Sequence, residues 1–252
     1  MNPIVGLYTF PMEAYTNDFR GKPTLHEIGG FLMQAATRHA EERGFGYTVM
    51  AENRRAWVLS RLAIEMNTYP VNDTQINVRT WVPEINKLFT ERCFALSDSA
   101  GRHIGDARSL WAAIDVETRK PTNLTDMEGF RRYICEEPSA IENVRKIPPI
   151  REDGRVESFV VRYSDLDINR HLNSMKYIEH LTDTFPIEMY QKKDIRRFEI
   201  CFMAEGQYGA RLDIVQKEET PNVFAMEIRN AEKAICSARI SWGEGNLHDF
   251  CC

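Results

Sequence analysis

The sequence predicts an α+β fold in which one order of elements occurs twice. A helical pattern over residues 25–43 is followed by four strand-like segments, and a second helical pattern after residue 171 is again followed by four. Consecutive strands joined by short polar turns form antiparallel sheets, which places both halves in the α+β class. A charged, proline-rich stretch separates them. Repetition of a whole order of elements favours an internal duplication.

The helix of the first half begins after Thr24, a residue type that caps helix N-termini, and ends at Gly44. Its apolar residues recur every three or four positions, as one buried face requires. Gly29 and Gly30 are unusual inside it, because each costs about 1 kcal/mol relative to alanine. Either close packing against a strand or room for a ligand would explain them. An extended segment over residues 13–18 precedes this helix.

Alternating β-branched and aromatic residues predict the strands of both halves. The linker between the halves carries four prolines and a short helix over residues 124–133. We therefore divide the chain into a first domain over 1–120, a linker over 121–150 and a second domain over 151–252. The predicted strands are 56–64, 75–82, 89–97 and 103–116 in the first half, and 158–163, 195–204, 211–217, 222–228 and 234–242 in the second.

Composition narrows the class of protein. The 252 residues are 43% hydrophobic and 10% aromatic, which is typical of a globular chain with a sizeable core. A net charge of −5 argues against a general nucleic-acid binder. No apolar run could cross a bilayer and the first residues resemble no leader, so we expect a soluble, unprocessed cytoplasmic protein. Six cysteines without a C-x-x-C pair predict reduced thiols and no metal site.

A polar cluster precedes the helix of the second half. Asp165, Asp167, Asn169 and His171 stand at alternate positions, and extended backbone would project all four to one side. The helix that follows, from about Leu172, would place its N-terminal amides beside them. Free amides and the positive end of the helix dipole suit an anion or a carbonyl oxygen that gains negative charge.

Three interpretations of this cluster compete. A calcium loop of the EF-hand type would need Gly at its sixth position and Glu at its twelfth, where this chain has Arg170 and Lys176. A turn in which Asp and Asn side chains cap a core helix is the common structural alternative. The third interpretation is a hydrolytic site, because a near-neutral base beside groups that orient it can cleave an activated acyl bond.

The run DLDINRHLNSMKYIEH resembles the signature D-x-D-x-N-x-H-V/L-N-x-x-K-Y-I/V of acyl-acyl carrier protein thioesterases, which release fatty acids in plant plastids and have bacterial relatives. The resemblance implies a tandem double hot-dog fold, each half a long helix wrapped by an antiparallel sheet. It also implies that the first half binds the acyl chain, that the second half is catalytic, and that no cofactor is used. The implied partner is an acyl carrier protein.

A second, weaker resemblance concerns IRRFEICFMAEGQYGARL, which is similar to the family strand that carries a glutamate, here Glu205. On this basis Asp167, Asn169, His171 and Glu205 form the site. Asn169 and the helix amides would hold the thioester oxygen, His171 and Glu205 would position and deprotonate water, and Asp167 would orient its neighbours. The residue-level alternative for Glu205 is a solvated charge at a strand end.

Water is the expected nucleophile. Many plant relatives have a cysteine directly after the glutamate, but this chain has Gly206. Cys201 shares strand parity with Glu205, although a small buried hydrophobe is the favoured interpretation of that residue. An acyl-CoA thioesterase and a non-catalytic hot-dog module for acyl binding or regulation remain as alternatives. A hot-dog dehydratase would leave Glu205 without a role.

Substrate-binding residues are predicted in both halves. Gly29, Gly30 and Met33 would line the acyl tunnel, with tight helix packing as an equal alternative. Acyl carrier proteins are acidic, so docking on this acidic chain needs a local basic patch. The sequence leaves open the length and saturation of the preferred acyl chain, and also the oligomeric state, including whether the protein forms a homodimer. The candidates for the basic patch are Lys192, Lys193, Arg196 and Arg197, followed by Arg131, Arg132, Arg145 and Lys146.

Overall fold

The structure is a computed structural model that describes residues 4–126, 129–142, 144, 146–151 and 154–245. Within these ranges every pairing between strands is antiparallel. The strands are β1 Gly6–Pro11, β2 Arg55–Met66, β3 Gln75–Trp81, β4 Phe89–Ser97, β5 His103–Asp115, β6 Arg155–Val160, β7 Lys193–Phe202, β8 Arg211–Thr220, β9 Val223–Asn230 and β10 Lys233–Glu244. The helices are α1 Leu25–Glu41, α2 Tyr47–Glu52, α3 Ser174–Asp183 and α4 Ile187–Lys192.

One continuous sheet joins the two halves. Its strand order is β1-β3-β4-β5-β2-β7-β10-β9-β8-β6, so each half contributes five neighbouring strands. The halves meet where β2 pairs with β7, from Arg61 opposite Cys201 to Glu65 opposite Arg197. The central seam is therefore made of backbone hydrogen bonds as well as side-chain packing.

Helices α1 and α3 pack against the sheet and against each other. Thr24 caps α1 by accepting a hydrogen bond from the Glu27 amide at 3.4 Å, which confirms the predicted helix start. Asn173 caps α3 by accepting from the Met175 amide at 2.8 Å. The apolar faces of both helices belong to one hydrophobic core that includes residues from all parts of the sheet. This arrangement is the tandem double hot-dog fold, and the fold prediction is confirmed.

Three local predictions were wrong, and two short helices were missed. The first strand lies at Gly6–Pro11, with a 3-10 turn at Ala14–Thr16 where the extended segment was expected. Phe10 of this strand is buried because its ring stacks on that of Phe31 in α1, with the ring centroids 5.2 Å apart. Strand β6 begins and ends earlier than predicted, since the chain enters a 3-10 turn at Tyr163–Asp165. The predicted linker helix is instead two short 3-10 turns, and the six-residue helices α2 and α4 were not predicted.

Three apolar residues near the end of the linker pack over the central strands on the face opposite the helices. Ile141, Val144 and Ile147 form a small cluster there with Ala63 and Cys201. None of the helices in the described ranges combines the length and the hydropathy of a transmembrane span. In the same ranges no group of three or more His, Cys, Asp or Glu residues is arranged to hold a metal ion.

Candidate active site

The loop before α3 is a tight turn, so the prediction that its polar residues alternate along extended backbone was wrong. Leu166 and Leu172 form an isolated bridge, and the Asp167 amide donates to the His171 carbonyl at 2.8 Å. The Arg170 amide donates to the Asp167 carbonyl at 3.0 Å, with Arg170 at a φ of 65°. Because the chain reverses inside the cluster, its four polar side chains do not share one face.

Asp165 lies apart from the other three residues. Its carboxylate accepts from the Arg162 amide at 2.7 Å, which caps the 3-10 turn, and it lies 3.7 Å from His180 Nε2. The side chain is buried. Asp165 therefore shapes the entry to the loop, and its carboxylate contacts Arg162 and His180 instead of the other residues of the cluster.

Asp167 holds the turn from inside. Its Oδ1 accepts from the Asn169 amide at 2.8 Å and from the His171 amide at 3.1 Å. The capping turn that the sequence left as an alternative is therefore present. It leaves the Asn169 side chain exposed and the His171 ring half-buried at the N-terminus of α3.

Glu205 meets His171 across two loops that are 34 residues apart. His171 Nε2 lies 3.2 Å from Glu205 Oε2, and both side chains keep contact with solvent. The loops are joined by the Leu172 amide, which donates to the Gly206 carbonyl at 2.9 Å, and by a bridge between His171 and Gln207. Backbone pairing next to each residue thus fixes the imidazole and the carboxylate relative to one another.

Tyr177 braces the Glu205 loop from α3. Its hydroxyl accepts from the Gly206 amide at 2.9 Å and donates to the Ala204 carbonyl at 3.3 Å. Burial raises the pKa of Tyr177, so the phenol stays neutral and can serve both roles. Tyr177 belongs to the matched signature, but sequence reasoning assigned it no role because its partners are 27 and 29 residues away.

Arg119 comes to Glu205 from the first half of the chain. Its Nη2 contacts Glu205 Oε1, so the carboxylate lies between this guanidinium and His171. Arg119 follows β5 in a turn where the Arg119 amide donates to the Asp115 carbonyl at 2.9 Å and Asp115 Oδ1 accepts from the Thr118 amide at 2.7 Å. Sequence reasoning missed Arg119, because nothing near it in the sequence marks a residue that pairs 86 positions away.

Cys201 is not part of this cluster. It lies buried among Ala63, Ile141 and Ile147 on the face of the sheet away from the helices, and burial raises the pKa of its thiol. At Gly206, an added Cβ would lie 3.0 Å from the Leu172 Cβ and 3.3 Å from the Tyr177 hydroxyl. The glycine therefore permits the close approach of the two loops.

The two helix glycines have different surroundings. A Cβ on Gly29 would lie 2.5 Å from Met175 Sδ of α3, which favours the tight-packing alternative, against a helix and not a strand. A Cβ on Gly30 would meet nothing within 4 Å, and Met33 is half-buried against the core. A place for Gly30 and Met33 beside the acyl chain stays a prediction.

The predicted basic patch lies far from Glu205. Lys193 begins β7, whereas Glu205 follows its end, and ten residues at about 3.3 Å each separate the two by roughly 30 Å. Arg197 pairs with Glu65 and Glu199, Arg196 donates to backbone carbonyls, and Lys193 donates to the Asn222 side chain, so three of the four cations are engaged. Docking at this patch stays a prediction that the geometry disfavours. Arg145, from the second set of candidates, lies outside the described residues.

Comparison with known proteins supports the resemblance along most of the chain. Residues 7–128 match the family model of the acyl-ACP thioesterase N-terminal domain, and residues 150–244 match that of the C-terminal domain. The fold is similar to the crystal structure of an acyl-ACP thioesterase from Bacteroides thetaiotaomicron, with 40% identity and a TM-score of 0.91. That match covers 96% of this chain and 100% of the other.

Plant proteins are also similar in sequence. A chloroplastic acyl-(acyl-carrier-protein) hydrolase of Cuphea viscosissima is 30% identical over 82% of this chain, and the chloroplastic oleoyl-acyl carrier protein thioesterase 2 of Arabidopsis thaliana is 24% identical over 94% of it. The chain spans 53% of the length of the first and 70% of the second.

Proposed function

The chain belongs to the acyl-ACP thioesterase family, and we propose that it hydrolyses the thioester of a fatty acyl group carried on acyl carrier protein, releasing free fatty acid. The observation that carries this proposal is the pairing of His171 with Glu205 at 3.2 Å beside the N-terminus of α3. An imidazole and a carboxylate paired in this way beside the positive end of a helix dipole suit acyl transfer to water.

Water supplies the nucleophile in this mechanism. The His171–Glu205 pair takes a proton from water as its oxygen bonds to the thioester carbon. Because Asn173 already accepts from the Met175 and Lys176 amides, the Asn169 side chain and the positive end of the α3 dipole stabilise the oxyanion of the tetrahedral intermediate. The carbon–sulfur bond then breaks, and the pair returns the proton to the departing thiolate, so that acid and free thiol leave.

The other residues act by positioning this pair. Asp167 fixes the backbone that presents Asn169 and His171, and Tyr177 fixes the loop that presents Glu205. Arg119 donates a hydrogen bond to Glu205 Oε1, which leaves Glu205 Oε2 directed toward His171. We keep Gly30 and Met33 as the acyl-chain contacts of the first half, with 1–120 and 151–252 as the acyl-binding and catalytic domains.

The test is an assay of the purified chain on a mixed pool of fatty acyl carrier proteins, with release of free fatty acids as the readout. The same acyl groups on CoA form the parallel arm. Faster turnover of the carrier substrates supports the proposal, and faster turnover of the CoA substrates would replace it with an acyl-CoA thioesterase. Acyl binding without hydrolysis of either would indicate a non-catalytic hot-dog module.

A further inference from the structure

The loops that carry the candidate site also carry unusually exposed apolar side chains. Tyr163, Ile168 and Tyr208 are 86%, 81% and 68% exposed. A single exposed apolar residue is ordinary, but several on adjoining loops indicate a contact surface. These loops adjoin because the Gly209 amide donates to the Val161 carbonyl at 3.0 Å and because His171 forms a bridge with Gln207.

Three arginines lie on or directly beside the same loops, with Arg211 at the start of β8. Arg162, Arg170 and Arg211 are exposed, and no ion pair to any of them is found among the described residues. The neighbouring acids are already engaged: Asp165 and Asp167 accept backbone amides, and Glu205 pairs with Arg119 and His171. On a chain of net charge −5, this is a local excess of positive charge around the candidate site.

We infer that this surface, the site rim formed by Arg162, Tyr163, Ile168, Arg170, Tyr208 and Arg211, is where the acidic carrier protein docks. The inference rests on the proposed function. Unpaired arginines attract an acidic partner and orient its approach. Tyrosine and arginine are also the residue types that dominate the centres of protein interfaces.

Position distinguishes the site rim from the basic patch at the start of β7. The acyl group is tethered to its carrier. The carrier surface must therefore dock within the reach of that tether from the carbon that is attacked. The rim residues lie on the loops that hold His171 and Glu205, and Val160 pairs with Arg211 beside them. Lys192 and Lys193 lie at the other end of β7.

The experiment compares two charge reversals of equal size. Arg162→Glu/Arg211→Glu alters the site rim, and Lys192→Glu/Lys193→Glu is the matched control at the far end of β7. Each variant is assayed at low and high salt on an acyl carrier protein and on the same acyl group as an N-acetylcysteamine thioester. We expect the rim variant to raise KM for the carrier substrate by about tenfold at low salt, with less effect at high salt. Hydrolysis of the small thioester should stay at the wild-type rate in both variants.

Several results would overturn docking at the rim. One is a raised KM in the Lys192/Lys193 variant alone, which would return docking to the start of β7. Another is equal loss on both substrates in the rim variant, which would assign the arginines to the architecture of the site. Tyr208→Ser adds a second readout, because it should weaken carrier binding without changing the salt dependence.

Failure of the proposed function would be visible separately, as wild-type protein that hydrolyses neither substrate. Docking is then measured directly. Acyl carrier protein is titrated into Glu205→Gln protein, with and without each pair of charge reversals, and the dissociation constants are compared. Weaker binding with the rim reversals, and unchanged binding with the control reversals, supports the inference. Unchanged binding with the rim reversals refutes it.

Discussion

The loops that lead into α1 and α3 have the same backbone geometry and different uses. In the first, Asp18 Oδ1 accepts from the amides of Arg20 and Lys22 at 2.8 and 3.1 Å, and Gly21 has a φ of 67°. In the second, Asp167 Oδ1 accepts from the amides two and four positions later at 2.8 and 3.1 Å, and the residue at the matching position has a φ of 65°. A bridge closes each loop, and a side chain caps each helix.

The side chains on this shared turn decide what each loop does. In the first loop, Arg20 and Lys22 reach Asp194 of the other half at 2.8 and 2.9 Å and form a buried ionic clamp. In the second, Asn169 and His171 occupy the same two positions and keep contact with solvent. The same turn therefore occurs in both halves, where one copy makes an inter-half contact and the other carries the candidate site.

The largest effect should come from the pair in the second loop. Glu205→Ala and His171→Ala should each lower kcat on acyl carrier substrate by about 10² to 10⁴, the usual cost of losing a general base. Cys201→Ser, the matched control, should stay near wild type because its thiol is buried away from the site. Rapid-quench experiments should detect no covalent acyl-enzyme. An inactive Cys201→Ser with an active Glu205→Ala would mean that the mechanism is wrong.

The clamp of the first loop should govern stability instead. Asp194→Ala leaves the buried Lys22 without its anion and Arg20 with Asp18 alone, which should lower the free energy of unfolding by about 3–5 kcal/mol. Glu219→Ala removes the partly exposed partner of Arg239 and should cost about 1 kcal/mol or less. Urea unfolding measures both. Equal costs for the two variants would show that the clamp does not hold the halves together.

Arg119 should have a moderate effect on catalysis. A hydrogen bond to a charged group contributes about 1.5–3 kcal/mol, and half-exposure places this one at the lower end. Arg119→Ala should therefore lower kcat by about tenfold and leave KM nearly unchanged. Arg119→Lys, or added guanidinium ion, should restore part of the rate. Arg54→Ala, which removes a cation that pairs with Glu117 in the same turn, should have no effect. If neither Arg119→Lys nor guanidinium ion restores kcat, Arg119 has a structural role and does not position Glu205.

His39 of the first half should make the stability of the protein depend on pH. His39 is fully buried, and burial, followed by repulsion from Arg92, lowers its pKa to about 3. The unfolded chain then binds more protons than the folded one between about pH 3 and 6.5, so stability falls as pH falls through that window. At pH 5 the loss is roughly 2 kcal/mol. His39→Gln should flatten the dependence of unfolding free energy on pH between 7 and 5. An unchanged slope would contradict the assignment.

The smallest effect concerns adjacent glycines in α1. Gly30→Ala should stabilise the protein by up to about 1 kcal/mol, because alanine is the better helix former and nothing lies within 4 Å of the new Cβ. Gly29→Ala should not stabilise the protein in this way, because the Met175 side chain would have to move to make room for the new Cβ. Thermal unfolding of the two variants gives the comparison. Equal stabilisation by both would show that α1 and α3 do not need Gly29 for their approach.

Local patterns in the sequence determined much of this protein. Helix α1, its Thr24 cap and strand β4 over 89–97 depend on residues within a few positions of one another, so period and propensity were enough to predict them. The order of elements, twice repeated, predicted the fold class. The candidate residues His171 and Glu205 followed from two short resemblances. The short helices α2 and α4 were not predicted, because six residues span less than two helical turns and show no clear apolar period.

Only the tertiary structure decided how these residues meet. The turn at Asp167 bends the polar cluster that alternation had predicted to be extended, because backbone hydrogen bonds closed a loop. The link of Glu205 to Arg119 joins positions 86 apart, and that of Lys22 to Asp194 joins positions 172 apart. Such contacts depend on how the two halves of the sheet align along β2 and β7. Local propensity carries no information about that register, so the partners of each charge appear only once the chain is folded.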